Sequence, residues 1–125
     1  MKEIIKIPEI ILDWSDLYLF EEIAKNVKDG GINVPNKPGV YKVLDEKNET
    51  IHIGRASNLR NRVKQGFVKG KTSHSTRKRM LNKKVNLQNL KIQWAETEWP
   101  NSVEEYLHKE FKKSYKRLPK FTKVT

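Results

Sequence analysis

The chain of 125 residues contains no cysteine, which excludes disulfides, thiolate chemistry and cysteine-based zinc sites together. Carboxylates, imidazoles and hydroxyls are the groups left to hold a metal or carry catalysis. No apolar run approaches the roughly eighteen residues that a membrane helix needs. The N-terminal stretch MKEIIKIPEIILDW is interrupted by Glu3 and Glu9 and has no small-residue cleavage site, so it does not read as a signal peptide and a cytoplasmic location is expected. A further absence is local. Residues 50–95 hold twelve Lys or Arg and not one Asp or Glu, so this segment alone carries +12 of a net charge of +11.

A solvated basic surface would account for some excess charge, but forty-six residues without a balancing acid exceed what solubility requires. A polyanionic partner is the better reading, and nucleic acid the commonest one. A membrane surface fits less well, because no long Trp/Phe/Leu face opposes the cations. The length suits one domain with a single modest core.

Periodicity predicts the elements. Residues 15–29 read as a helix capped by Ser15 and ended by Gly30-Gly31, with Leu19, Phe20, Ile23 and Val27 at helical spacing. The run Ile4 to Leu12 reads as a strand or extended arm. Residues 1–33 are thus expected to form an N-terminal helical extension, and 34–125 the functional domain. In GVYKVLD, residues 39–45, Val40, Lys42 and Leu44 alternate with Tyr41 and Val43, and TIHIG follows a polar loop, so residues 39–54 read as a β-hairpin.

Ser57 is a candidate N-cap for a helix carrying Leu59, Val63 and Phe67. A basic helix over Thr76–Lys84, anchored by Met80 and Leu81, a strand through Leu90, Ile92 and Trp94, and a last helix opened by Pro100, with Val103, Tyr106, Leu107 and Phe111 inward, complete the chain. The expected fold is a small α+β domain with a three-stranded, mainly antiparallel sheet flanked by helices.

Five residues stand out against this pattern: Tyr41 and His52 on the strands, Arg55 and Arg62 just beyond, and Glu110 on the last helix. Taken singly each has a plain explanation, as a strand aromatic, a satisfied polar residue, solvated arginines and an ion-pair partner of neighbouring lysines. Together they are the kit of phosphodiester hydrolysis. An arginine clamps a phosphate, a tyrosine or histidine takes a proton from water, and a lone carboxylate holds a well-hydrated magnesium ion.

GVY at 39–41, HIG at 52–54, an arginine eight residues after Gly54, and EEYLHKEFKKSYKRLPKFTK at the far end resemble the GIY-YIG nuclease superfamily over about residues 35–122. The resemblance is closest to the nuclease domains of the UvrC type. It implies an endonuclease, with DNA favoured over RNA as substrate and Mg2+ or Mn2+ as cofactor. By it, Arg62 would bind the scissile phosphate, and Glu110, nine residues before Pro119, would hold the metal. Tyr41, His52 and Arg55 would lie near the attacking water, with Gly54 letting the chain turn beneath them.

The chain departs from the family pattern at three places. His52 stands where the second-motif tyrosine belongs, Gly66 where many members have His or Tyr, and Phe121-Thr122 where a Tyr-Asn pair often ends the tail. An imidazole titrating near pH 6.5 would be a better base at neutrality than a phenol. Lys64, Lys69, Lys71, Arg77, Lys78, Arg79, Lys83 and Lys84 are the candidate backbone readers. With no recognition helix or zinc module identifiable, a separate protein partner would supply target choice. A non-catalytic nucleic-acid-binding module on the same fold is the alternative, and a basic RNA- or ribosome-associated protein a further one.

Overall fold

Side-chain alternation in GVYKVL and TIHIGRA builds the centre of the molecule. In the computed structural model, which describes residues 2–3 and 10–122, these segments are strands β2 (Gly39–Leu44) and β3 (Thr50–Ala56), joined as an antiparallel hairpin. Strand β4 (Lys91–Glu96) pairs antiparallel with the other side of β2, so that Tyr41 faces Gly54 on one neighbour and Trp94 on the other. Much of the Ile4–Leu12 run lies outside the described residues.

The helix expected over 15–29 forms only in part. Ser15 donates its N–H to the Trp94 carbonyl at 2.8 Å, and its hydroxyl oxygen accepts the Trp94 N–H at 3.0 Å. Tyr18 stacks on Trp94 with ring centroids 5.3 Å apart. These contacts hold the segment extended, and Tyr18–Leu19 becomes a short strand, β1, at the free side of β4. The sheet therefore has four strands in the order β1-β4-β2-β3, one more than the periodicity indicated. Only Phe20–Ala24 is α-helical (α1), followed by a 3-10 turn at Val27–Asp29.

Two layers cover the sheet. On one face Phe20, Ile23, Val34, Tyr41, Val43, Leu59, Val63, Phe67, Met80 and Ile92 form the main core. Burial of apolar surface at about 25 cal/mol per Å² makes this cluster the principal source of stability. It includes residues on both sides of position 33, so the N-terminal segment packs into the same core as the strands. On the other face Val40, Ala95 and Val103 meet Leu107 of the last helix, α3 (Pro100–Tyr115). Tyr106 is 61% exposed and lies outside that stripe.

The helix after β3 is a π-helix, Arg60–Val68. Its cap is Asn58, whose Oδ1 accepts the Asn61 N–H at 3.1 Å, whereas Ser57 is exposed. Helix α2 (Ser75–Asn82) follows, anchored by Met80 and the buried Thr76, whereas Leu81 is exposed.

The tail closes the free edge of β3. Phe121 donates its N–H to the Ile51 carbonyl at 2.8 Å, and Thr122 Oγ1 accepts the Ile53 N–H at 3.0 Å. Unpaired strand edges invite further pairing; here the tail fills that role.

Candidate active site

A cleft of about 900 Å³ wraps the covered edge of β3. Tyr41, His52, Arg55, Arg62, Arg79, Glu104 and Thr122 all line it, contributed by two strands, the π-helix, α2, α3 and the tail.

On its floor Tyr41 and His52 share one face of the hairpin, two residues apart in register. The Tyr41 hydroxyl lies 3.2 Å from His52 Nε2 and 2.9 Å from His74 Nε2. His52 Nδ1 lies 3.2 Å from Thr122 Oγ1. His74 comes from the loop before α2 yet is only 1% exposed. It packs beside Gly66, where an added Cβ would stand 3.0 Å from Thr72 Oγ1 and 3.5 Å from the His74 ring. The imidazole from position 74 thus borders the space that a side chain at 66 would enter.

Gly54 is a glycine for a different reason from the turn expected there. It continues β3, and a Cβ on it would lie 2.6 Å from the Tyr41 ring, which rests across the strand at this point. An ordinary side chain would push the phenol off the floor.

Burial dominates the floor's electrostatics. It raises the Tyr41 phenol to about 12, although the Arg62 guanidinium beside it pulls the other way. His52 is lowered to about 3, by burial first and then by the neighbouring His74 and by Arg79 and Arg62. Burial, with Arg62, Arg77 and Arg79 nearby, lowers His74 likewise to about 3. Both imidazoles are therefore neutral at pH 7, and the expectation of a His52 titrating near 6.5 is not met. Among the described residues every buried side-chain nitrogen and oxygen has a partner.

The rim is charged. Arg55 Nη1 lies 3.3 Å from Glu104 Oε1, the arginine half-exposed and the carboxylate largely covered. His108, one turn further along α3, lies with Nε2 3.1 Å from the Ile53 carbonyl. Glu110 does not reach this cleft. It borders a separate small hollow with Lys42, Thr50, Phe111 and Ser114. Six residues along a helix rotate a side chain by about 600°, which puts 110 well around the helix from 104. Counting back from Pro119 treats the tail as a continuation of α3. The helix in fact stops at Tyr115, and Lys116 turns left-handed at φ 61°.

The cations sort into two kinds. Arg62, Lys71 and Arg79 line the cleft, with Arg79 also donating to the Thr76 hydroxyl and the Phe121 carbonyl. Lys78, Lys83 and Lys84 are exposed on and after α2, and Lys69 reaches Asn26. Two expected backbone readers are occupied internally. Lys64 is 4% exposed and donates to the carbonyls of Lys25 and Ile32 at 2.9 and 2.8 Å, its pKa lowered by burial. Arg77 donates to the carbonyls of Phe67 and Val68 at 2.5 and 2.7 Å, closing the end of the π-helix.

Glu104, His108 and Thr122 line the cleft and His74 lies against Tyr41, and sequence reasoning selected none of the four. Glu104 reads as a first-turn acid favouring the helix dipole; its signal is the i, i+4 pairing with His108 on one helix face. His74 has no signal in its own segment beyond the missing side chain at Gly66.

A single carboxylate with room for water around it suits a hard, well-hydrated divalent cation such as Mg2+, which keeps most of its waters. Among the described residues no group of three or more His, Asp or Glu converges as a candidate metal cage. No described helix is long and apolar enough to cross a membrane.

A family model described as a UvrC-like GIY-YIG domain matches residues 37–119. Among curated proteins, UvrABC system protein C of Caldicellulosiruptor saccharolyticus is 47% identical over 45 residues, 36% of this chain and 8% of that protein. The Legionella pneumophila (strain Lens) protein of the same name is 36% identical over 63 residues, half of this chain and 10% of its own length. That of Carboxydothermus hydrogenoformans is 54% identical over 35 residues, 28% of this chain and 6% of its own length. The matched region thus spans a tenth or less of these relatives. No solved structure gives a significant match.

Proposed function

Because the chain belongs to the family of UvrC-like GIY-YIG domains, we propose that it is a metal-dependent endonuclease that hydrolyses phosphodiester bonds in DNA. The observation that carries this reading is the convergence of Arg62, Tyr41 and Glu104 in one cleft. An arginine binds phosphate through a planar fork of donors, and fixed charge aimed at a developing oxyanion is usually the largest catalytic contribution. In this reading Arg62 and Arg55 hold the scissile phosphate, Tyr41 orients the attacking water, and Glu104 rather than Glu110 holds Mg2+ or Mn2+. The ion, when bound, supplies Lewis-acid stabilisation of the leaving oxygen and lowers the pKa of a coordinated water.

His52 acts through Tyr41, because a neutral imidazole already bonded at both nitrogens does not serve as the base near neutrality. Lys71, Lys78, Arg79, Lys83 and Lys84 grip the DNA backbone without reading sequence. Target choice belongs to a separate protein partner. In this reading the nuclease unit is residues 34–125, and Phe20 and Ile23 of the preceding segment share its core.

The test is nicking of supercoiled plasmid over a magnesium and manganese series. Metal-dependent nicking that Glu104→Gln abolishes and Glu110→Gln leaves within about twofold supports the reading; removing one such charge costs about 10² to 10³ in rate. Cleavage that survives Glu104→Gln and fails in Glu110→Gln would return the metal to Glu110.

The second reading, a binding module without turnover, is favoured by one observation. The two imidazoles that touch Tyr41 are both buried beneath it, and that burial pushes each down to about 3, far from a working base. It predicts binding to duplex DNA or structured RNA that weakens steeply with salt, and no product with any divalent metal.

A further inference from the structure

We propose that His74 is a positioning residue for Tyr41, acting by fixing the direction of a hydrogen-bond chain that runs from α2 to the tail. The inference rests on the reading of the cleft as a hydrolytic site. Its starting point is a main-chain amide. The Arg77 N–H lies 3.3 Å from His74 Nδ1 and can only donate to it. Nδ1 is therefore bare, and a neutral imidazole carries its one proton on the other nitrogen. That proton, on Nε2, points at the Tyr41 oxygen 2.9 Å away.

Each following step has one solution. The Tyr41 oxygen faces two groups that only donate, the His74 Nε2–H and the Arg62 guanidinium beside it, so its own proton goes to His52 Nε2, at 3.2 Å. His52 then carries its proton on Nδ1, which donates toward Thr122 Oγ1 at 3.2 Å, with the Phe121 carbonyl as a second acceptor. Thr122 Oγ1 also accepts the Ile53 N–H at 3.0 Å, and its hydroxyl proton faces the Ile53 carbonyl at 3.5 Å. Reversing the His74 link would set its proton against the Arg77 N–H, and reversing the His52 link would turn a third N–H onto the Tyr41 oxygen. Such a mismatch costs about 1 to 3 kcal/mol.

The direction has a chemical consequence. The Tyr41 proton is turned away from the cleft toward His52, so on the cleft side the phenol can only accept, from Arg62 at rest or from an entering donor once that guanidinium engages a phosphate. A lone pair accepts from water, which is a donor, and cannot bond a phosphate oxygen, which is an acceptor. Tyr41 is thereby assigned the side of the attacking water, and Arg62 the phosphate. His74, which need not touch substrate, decides which of the two Tyr41 recognises. As a merely satisfied core histidine it would stabilise the fold without affecting this choice.

The experiment has two arms on the full chain. Long-range proton–nitrogen NMR at pH 7 reads the ring tautomers. The expected result is Nε2–H for His74 and Nδ1–H for His52, and the opposite tautomer at either ring overturns the proposal. This arm needs no activity, so it decides the chain's direction even if the nuclease reading fails.

The second arm is nicking kinetics of His74→Leu and His74→Gln with melting temperatures alongside. Loss of an outer partner of this kind costs about 10- to 100-fold. His74→Leu should lower kcat by that factor with KM unchanged, while His74→Gln, whose amide nitrogen can replace the Nε2–H donor, should restore most of it. Equal loss in both variants, or none in His74→Leu, overturns the proposal. Where His74→Leu melts far below the parent, the tautomer arm and the glutamine variant decide.

Discussion

The floor and the rim of the cleft lie within a few ångströms of each other yet work under opposite electrostatic rules. The floor, Tyr41 with His52 and His74, is buried, neutral and bonded at every polar atom. The rim, with Arg55, Arg62 and Glu104, is charged and partly exposed. Burial separates them. A group without water keeps its proton state over a wide pH range, whereas a group at the surface keeps its charge and offers it to a ligand. A hydrolytic site built this way positions water with the first set and neutralises phosphate with the second.

The largest effect that should break the comparison is at the rim. Arg62→Ala is expected to lower kcat for plasmid nicking by about a thousandfold with little change in melting temperature, as for other removed oxyanion donors. A folded variant with near-parental turnover would show that the rim does not hold the phosphate.

At the floor, Gly54→Ala would place a methyl group 2.6 Å from the Tyr41 ring. Overpacking of this kind costs about 1 to 3 kcal/mol, and kcat should fall with the displaced phenol. Urea unfolding and nicking assays check both. Unchanged stability would mean that the ring has room to move.

The third prediction uses pH. His52 and His74 are lowered to about 3 in the folded protein, against about 6.5 in an unfolded chain. The unfolded state therefore binds more protons between these values. The stability from burying neutral imidazoles is fully present above about pH 6.5 and is lost progressively as pH falls toward 3. Near pH 5 the loss should be about 2 kcal/mol per fully buried histidine. His52→Phe, by removing one such group, should flatten the urea-midpoint profile; an unchanged profile would place the dependence elsewhere.

The smallest effect separates the two kinds of basic residue. Lys83→Gln should weaken DNA binding only a few-fold and reduce the slope of log affinity against log salt by about 1. Lys64→Met should leave that slope unchanged and lower stability instead, because it deprives the Lys25 and Ile32 carbonyls of their donor. Equal slopes for the two variants would merge the classes.

The hairpin was legible because Val40, Tyr41, Lys42 and Val43 alternate at the period of a strand, and Arg62 because its distance from Gly54 lies within continuous local structure. The edge strand at Tyr18–Leu19 was not. Its residues also satisfy helical spacing, and the deciding contacts are with Ser15 and Trp94, seventy-nine residues apart. Glu104 and Glu110 could not be separated from spacing to Pro119, because the path between helix and proline is set by a left-handed residue at Lys116. Lys64 reads as surface until its two carbonyl partners are known. His74 sits in a polar loop, and only the tertiary fold delivers it to the phenol.

His74 also bears on how the cleft admits its ligand. The loop after the π-helix is pinned at its far end by a fully buried imidazole and at its near end by Arg77 against the carbonyls of Phe67 and Val68. Lifting it would unseat the imidazole and strand the Tyr41 oxygen. Loops that open readily have few such buried ties. This wall of the cleft is thus fixed at rest, and whatever enters meets a groove whose width is set before binding.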